Sequence, residues 1–136
     1  MDSAYRLAMQ PPSIDDYQRL RKESGLSERT REEAENGING AWTSAIVIHV
    51  ESGETAGMGR VVGDGGTYFV IIDMAVLPRH QRKGLGDAIL TALLARIREA
   101  SPNALVSLLA DPPGRRLYAR HGFVESAPDS IGMWRR

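Results

Sequence analysis

The chain has 136 residues, 42% of them hydrophobic, with 17 Lys+Arg against 17 Asp+Glu and no Cys. That length makes one domain, residues 1–136, with enough apolar material for a core. Zero formal charge argues against a general nucleic-acid binder, which needs a basic face to replace phosphate counterions. The absence of Cys excludes disulfides, thiolate metal sites and a cysteine nucleophile. No apolar run resembles a signal peptide or approaches a membrane span, so a cytoplasmic protein with no membrane partner is expected.

Residues 4–9 read as a first strand, ended by Pro11-Pro12. Ser13 is a helix N-cap with Asp16 three residues on, and Gly25 closes that helix. Thr30 and Glu33 repeat the capping pattern for a second short helix that Asn36-Gly37 stops. From residue 41 the chain turns apolar: 45–50, 55–62 and 68–77 are strands joined by Glu51-Ser52-Gly53 and Asp64-Gly65-Gly66 turns, an antiparallel meander. Residues 86–99 carry Ile89, Leu93 and Ile97 at four-residue spacing, widened by Leu90 and Leu94, the clearest helix in the chain. A strand over 104–110, a short helix over 114–121 and a terminal strand over 131–134 complete the order. The expectation is an α/β fold: a mixed sheet, antiparallel meander plus a parallel strand pair flanking the main helix, with helices on both faces.

The stretch from Asp73 to Gly86 joins an apolar strand, a basic turn and two glycines to that helix. A helix N-terminus presents unpaired N–H groups and the positive end of its dipole, so it attracts anions. Glycine lets a ligand approach the backbone, and Arg79, Arg82 and Lys83 add charge. The segment therefore reads as a phosphate site or, equally, as a tight turn with solvated arginines. A Walker loop is excluded because no Ser or Thr follows the Lys83-Gly84 pair. A dinucleotide fingerprint is excluded because Ile89 stands where its third glycine belongs.

A second segment, Leu117-Tyr118-Ala-Arg-His-Gly122-Phe123, lies about thirty residues beyond the glycines after an intervening strand. Together with Gln81, Gly84 and Gly86, the Gln/Arg-x-x-Gly-x-Gly/Ala pattern, it resembles the GNAT superfamily of acetyltransferases. The resemblance implies a GNAT-like sheet and transfer of acetyl from acetyl-CoA to a primary amine of a small-molecule or peptide acceptor by direct attack. It places the cofactor pyrophosphate against the backbone of Arg82, Lys83, Gly84, Leu85 and Gly86, counts Gln81 among the cofactor-binding residues, and sets the pantetheine beside Met74, Ala75 and Val76. The Val76 N–H would polarise the thioester carbonyl, and Tyr118 would protonate the departing thiolate. Asp111 stands where the family tends to carry a CoA-contacting Asn, seven residues before the tyrosine. A carboxylate accepts and does not donate, so that contact is altered.

Asp73 is the one charge in its strand. It is either a general base or amine anchor, or a hydrogen-bonding aspartate that fixes a turn or a neighbouring strand. Arg60 and Tyr68 are candidate substrate contacts on the meander. Arg115 and Arg116 either meet phosphates or face solvent. His49, His80 and His121 show no metal-ligand spacing, so no metal is expected, and His80 and His121 read as exposed or capping. Trp42 and Trp134 read as core or interface, which leaves a homodimer open. The rival to catalysis is a non-catalytic acyl-CoA-binding module.

Overall fold

In the computed structural model, which describes residues 1–136, five strands form one sheet in the order β1-β2-β3-β4-β5. These are β1 (Tyr5–Ala8), β2 (Thr43–His49), β3 (Thr55–Gly63), β4 (Tyr68–Val76) and β5 (Leu105–Ser107). The first four are antiparallel neighbours, and β4 pairs with β5 in parallel through only three residues, Tyr68 to Val70. The helices are α1 (Ile14–Glu23), α2 (Arg31–Gly37), α3 (Leu85–Ala100) and α4 (Arg115–Arg120). The mixed α/β architecture matches the expectation. No helix is long and apolar enough to cross a membrane.

Local chemistry sets the boundaries. The Ser13 hydroxyl accepts from the Asp16 N–H at 3.1 Å, and Thr30 and Glu33 cap each other reciprocally. Residues 114 and 121 fall just outside α4, and β5 keeps only 105–107 of the expected 104–110. The expected strand over 131–134 is absent, because those residues make no backbone hydrogen bond within the chain.

Alternation divides the core in two. Val47, Val61, Phe69 and Ile71 face α3 and its Leu85, Ile89, Leu90, Leu93 and Ile97. Ile46, Met58 and Ala75 face the opposite way, onto Tyr17, Leu20, Ala34 and Ile38. Full burial of each large aliphatic side chain of α3 contributes roughly 1.5–3 kcal/mol. At Gly59 a Cβ would stand 2.6 Å from Met74 Sδ and 2.7 Å from Ile89 Cγ2, so this strand meets α3 at backbone distance.

Two irregularities position the site. Met58 pairs with Ala75 and Arg60 with Ile72, so Gly59 alone opposes both Asp73 and Met74. This is a β-bulge, and Asp73 takes φ +58°, a left-handed conformation that aspartate accepts more readily than most residues. Beyond Val70, β4 has no β5 partner, so its edge on that side lies open down to Val76.

Candidate active site

The open edge of β4 leads to the N-terminus of α3. Leu77 donates its N–H to the Ala56 carbonyl at 2.9 Å, so the neighbouring Val76 turns its own N–H and C=O away from β3 into the gap. The Val76 carbonyl there accepts from Gln81 Nε2 at 3.0 Å, which ties the basic turn to the strand end. The Val76 N–H is left facing the gap.

The turn then winds through two left-handed residues, Arg82 at φ +63° and Gly84 at φ +78°. The first intrahelical bond of α3 runs from the Ala88 N–H to the Gly84 carbonyl, leaving the N–H groups of Leu85, Gly86 and Asp87 without an intrachain acceptor. They line a cleft of about 390 Å³ whose apolar wall is Val76, Leu85 and Leu117 and whose basic rim includes Arg82, Arg116 and Arg120. A Cβ on Gly86 would lie 3.1 Å from Leu117 Cδ2, so α4 closes over the helix start at that point. Unpaired donors, a positive helix end and three guanidiniums fit a diphosphate, and the apolar wall fits a thioester arm. Asp87 is the one acidic group on the rim. His121 Nε2 and Arg120 Nη2 each approach it at 2.9 Å. The His121 hydrogen bond, and then Arg120, hold its carboxyl below the usual range.

Of the residues expected to bind cofactor, Val76, Gln81, Arg82, Gly84, Leu85 and Gly86 line this cleft. Lys83 points outward, exposed. Met74 packs beneath Gly59 on the α3 side and Ala75 is buried on the α1 side. Asp111 is exposed at the turn before α4 and off the cleft lining. His80 corrects the expectation of an exposed residue. It is buried, with Nδ1 2.8 Å from the Tyr5 hydroxyl and Nε2 2.9 Å from Glu54. Arg116, Leu117 and Arg120 share one face of α4, a spacing of one and four residues that could have grouped them in advance.

Tyr118 sits on another side of α4, edge-on to Phe123 with ring centroids 6.1 Å apart. Gly114 makes room for it: a Cβ there would lie 2.7 Å from Tyr118 Cε2. Burial, and then the charge of Asp111, push its pKa up, so the phenol stays protonated at neutral pH. The hydroxyl has no intrachain hydrogen bond and is not sealed from solvent.

Asp73 lies on the opposite face of the bulge, inside a clamp. Arg21 Nη1 reaches Oδ1 at 2.5 Å, while Arg60 Nη1 and the Tyr17 hydroxyl reach Oδ2 at 2.8 and 3.1 Å. The carboxylate is only 10% exposed. Arg60 also donates to the Gly37 carbonyl at 2.7 Å, at the end of α2, and its Nε is buried without a partner. The partners of Asp73 thus join α1, α2, β3 and β4, an arrangement in which the aspartate fixes neighbouring elements through hydrogen bonds. Arg60, buried in the same clamp, has its hydrogen bonds inside the protein. Tyr68 stands at the far end of the nine-residue β4, roughly 26 Å of strand from Val76, with its hydroxyl 3.0 Å from Ser107 Oγ. A second groove of about 420 Å³ along α1, lined by Gln18, Arg19, Lys22, Glu23, Glu28 and Arg29, has no apolar wall for an acyl chain.

Comparison with known proteins agrees with this fold. Residues 42–125 match the family model for an acetyltransferase (GNAT) domain, and the chain belongs to the GNAT acetyltransferases. The fold of that family implies acyl transfer from acyl-CoA. A protein of unknown function from meticillin-resistant Staphylococcus aureus, named a "Probable Acetyltransferase", is 38% identical with a TM-score of 0.91 over 97% of this chain and 98% of its own. A GNAT-family acetyltransferase from Streptococcus pneumoniae is 24% identical, with a TM-score of 0.79 over 97% and 98%. N-acetylglutamate synthase from Neisseria gonorrhoeae, solved with coenzyme A and L-arginine, is 22% identical with a TM-score of 0.72, over 97% of this chain and 30% of that one. The latter two are likenesses of fold. No curated protein matches the sequence.

Proposed function

We propose that this protein moves the acetyl group of acetyl-CoA onto a primary amine by direct attack. The observation that carries the reading is the junction of the open β4 edge with the α3 N-terminus, where the Val76 N–H and the free N–H groups of Leu85, Gly86 and Asp87 border one cleft. In this reading the α3 N-terminus, Arg82, Arg116 and Arg120 take the diphosphate. The Val76 N–H donates to the thioester oxygen as negative charge develops on it; a donor fixed in advance stabilises that charge without reorganising. The amine arrives neutral, having lost its proton to water, because Asp73 is held in its clamp. Its nitrogen forms the new C–N bond and gives up a further proton to water, the C–S bond breaks to leave the neutral amide, and Tyr118 gives its proton to the departing sulfur and regains one from solvent. Asp73 and Arg60 act on this site by shaping the bulge, and Lys83, Met74, Ala75, Asp111 and Tyr68 stand outside it.

The test has two arms. Calorimetric titration with CoA and acetyl-CoA checks the cleft, and a thiol-release screen against small amines, polyamines, amino acids and peptide N-termini checks transfer. Binding and release with at least one class supports the reading. Binding with no turnover would make the chain a non-catalytic acyl-CoA module, and no binding would overturn the placement of the site.

A further inference from the structure

The basic turn before α3 does not hold its own shape. The Gln81 N–H is bonded to the Pro78 carbonyl and the Ala88 N–H to the Gly84 carbonyl, but no main-chain N–H of residues 82–87 between them has an acceptor in the chain. Arg82 and Gly84 nevertheless both take left-handed dihedrals, φ +63° and +78°. Glycine accepts that conformation freely, whereas arginine keeps it only where its surroundings impose it. Free donors serve an anion best when they converge before it arrives, so whatever imposes the shape of the turn bears on binding.

The grip on the turn lies just before it. His80 is buried, although it borders the cleft. Its ring nitrogens go to two parts of the sheet: Nδ1 meets the Tyr5 hydroxyl on β1 at 2.8 Å, and Nε2 meets Glu54 Oε1, between β2 and β3, at 2.9 Å. The ring also lies edge-on to Tyr5 and packs on His49 of β2, with centroids 5.5 and 5.1 Å away. Arg79, and His80 with it, hold the Glu54 carboxyl low, and a carboxylate only accepts, so Nε2 carries a hydrogen toward it. The Tyr5 hydroxyl can donate or accept, so its link to Nδ1 closes in either protonation state of the ring. With both nitrogens engaged, His80 has nothing left to offer a ligand or a proton transfer. Its neighbours Arg79 and Gln81 also reach out, but both are exposed, which leaves His80 as the buried anchor of the segment. We infer that His80 is a positioning residue: the buried chain Tyr5–His80–Glu54 fixes the turn in the shape that gathers the N–H groups of residues 82–87, and so sets the affinity for the diphosphate of CoA. The inference rests on the assignment of the cleft to CoA.

The test is calorimetric titration of CoA into the full chain and into Tyr5→Phe, His80→Gln and Thr30→Ala. Tyr5→Phe keeps the ring and deletes one link, and His80→Gln has a single amide for two partners. Thr30→Ala removes the cap of α2, far from the turn along the chain, and so lowers stability without touching the anchor. Stoichiometry reports the folded fraction and Kd the folded molecule, which separates a positioning role from a merely structural one. Loss of one buried hydrogen bond should weaken CoA binding by about three- to tenfold in Tyr5→Phe and in His80→Gln. Thr30→Ala should bind as wild type does. In the ligand-free Tyr5→Phe protein the amide resonances of Arg82, Lys83 and Gly84 should move or broaden, and this mild variant decides the matter if His80→Gln does not fold. Wild-type binding shared by Tyr5→Phe and His80→Gln overturns this inference alone, as does an equal loss in Thr30→Ala or an undisturbed turn in Tyr5→Phe. A wild-type chain that binds no CoA overturns the assignment of the cleft and this inference with it.

Discussion

In the proposed reaction Gly86 and Tyr118 act by different means, and each role can be tested by one substitution. At Gly86 the backbone N–H is free and the missing side chain leaves a gap that only the tip of Leu117 borders. Gly86→Glu keeps the helix, since the position is helical and the Leu117 methyl can move, but it sets a carboxylate among donors arranged for an anion. Acetyl-CoA affinity should fall at least about tenfold, or about 1.4 kcal/mol; calorimetric titration of the folded variant reads this, and unchanged affinity would remove the diphosphate from the α3 N-terminus. Tyr118→Phe keeps the edge-on packing against Phe123 and deletes the one proton the mechanism spends. General acids are worth about a hundred- to ten-thousandfold, and thiolate is a good leaving group, so about a ten- to hundredfold loss in kcat with little change in CoA affinity is expected. Steady-state turnover beside thermal melting checks it, and equal kcat with equal stability would require another proton donor.

At the scale of elements, the Asp73 clamp joins α1 and α2 to β3 and β4. One carboxylate holds two guanidiniums that are 6% and 7% exposed, so its loss leaves like charges buried together. Asp73→Asn retains a residue that tolerates φ +58° and removes only the charge. Breaking a buried pair from one side costs about 3–5 kcal/mol. The expected outcome is a large fall in Tm, with CoA affinity of the folded fraction little changed; a stable but inactive variant would instead return Asp73 to the chemistry. This clamp also marks where the sequence stopped being legible. Caps, periodicity and turn residues identify α1, α2, α3 and the meander because each signal is local. The glycines and the Tyr118 segment locate the cleft because helix-end chemistry is local too. The partners of Asp73 lie 13, 52 and 56 residues away along the chain, and no spacing rule links Tyr17, Arg21 and Arg60 to it. Likewise the pattern of 131–134 reads as a strand, but a strand needs an edge to pair with, and the nearest one in the same chain is not used.

Over the whole molecule, ion pairs fasten the segments around the basic turn to the rest of the sheet, and this makes stability depend on pH in a definite direction. Glu54, in the turn between β2 and β3, takes Arg79 at 3.0 and 2.7 Å and His80 at 2.9 Å. Asp87 joins the start of α3 to the end of α4 through His121 and Arg120. Arg79 first, and His80 with it, hold Glu54 below its ordinary value, and His121 does the same for Asp87. A carboxylate whose folded pKa is depressed binds fewer protons in the native state than in the unfolded chain at moderately acid pH. It therefore stabilises the fold fully above its unfolded pKa, about 3.9 for Asp and 4.3 for Glu, and this contribution drains away as pH falls through the folded value. Both groups are partly solvated, which keeps each contribution small. Tm should thus be flat with respect to these two groups from pH 7 down to about 5 and decline below about 4. Glu54→Gln and Asp87→Asn should lower Tm at pH 7 and each reduce the steepness of the acid decline. Melting curves recorded by circular dichroism between about pH 3 and pH 7 measure both effects. Variants with the wild-type acid slope would show that these carboxylates do not hold the basic turn.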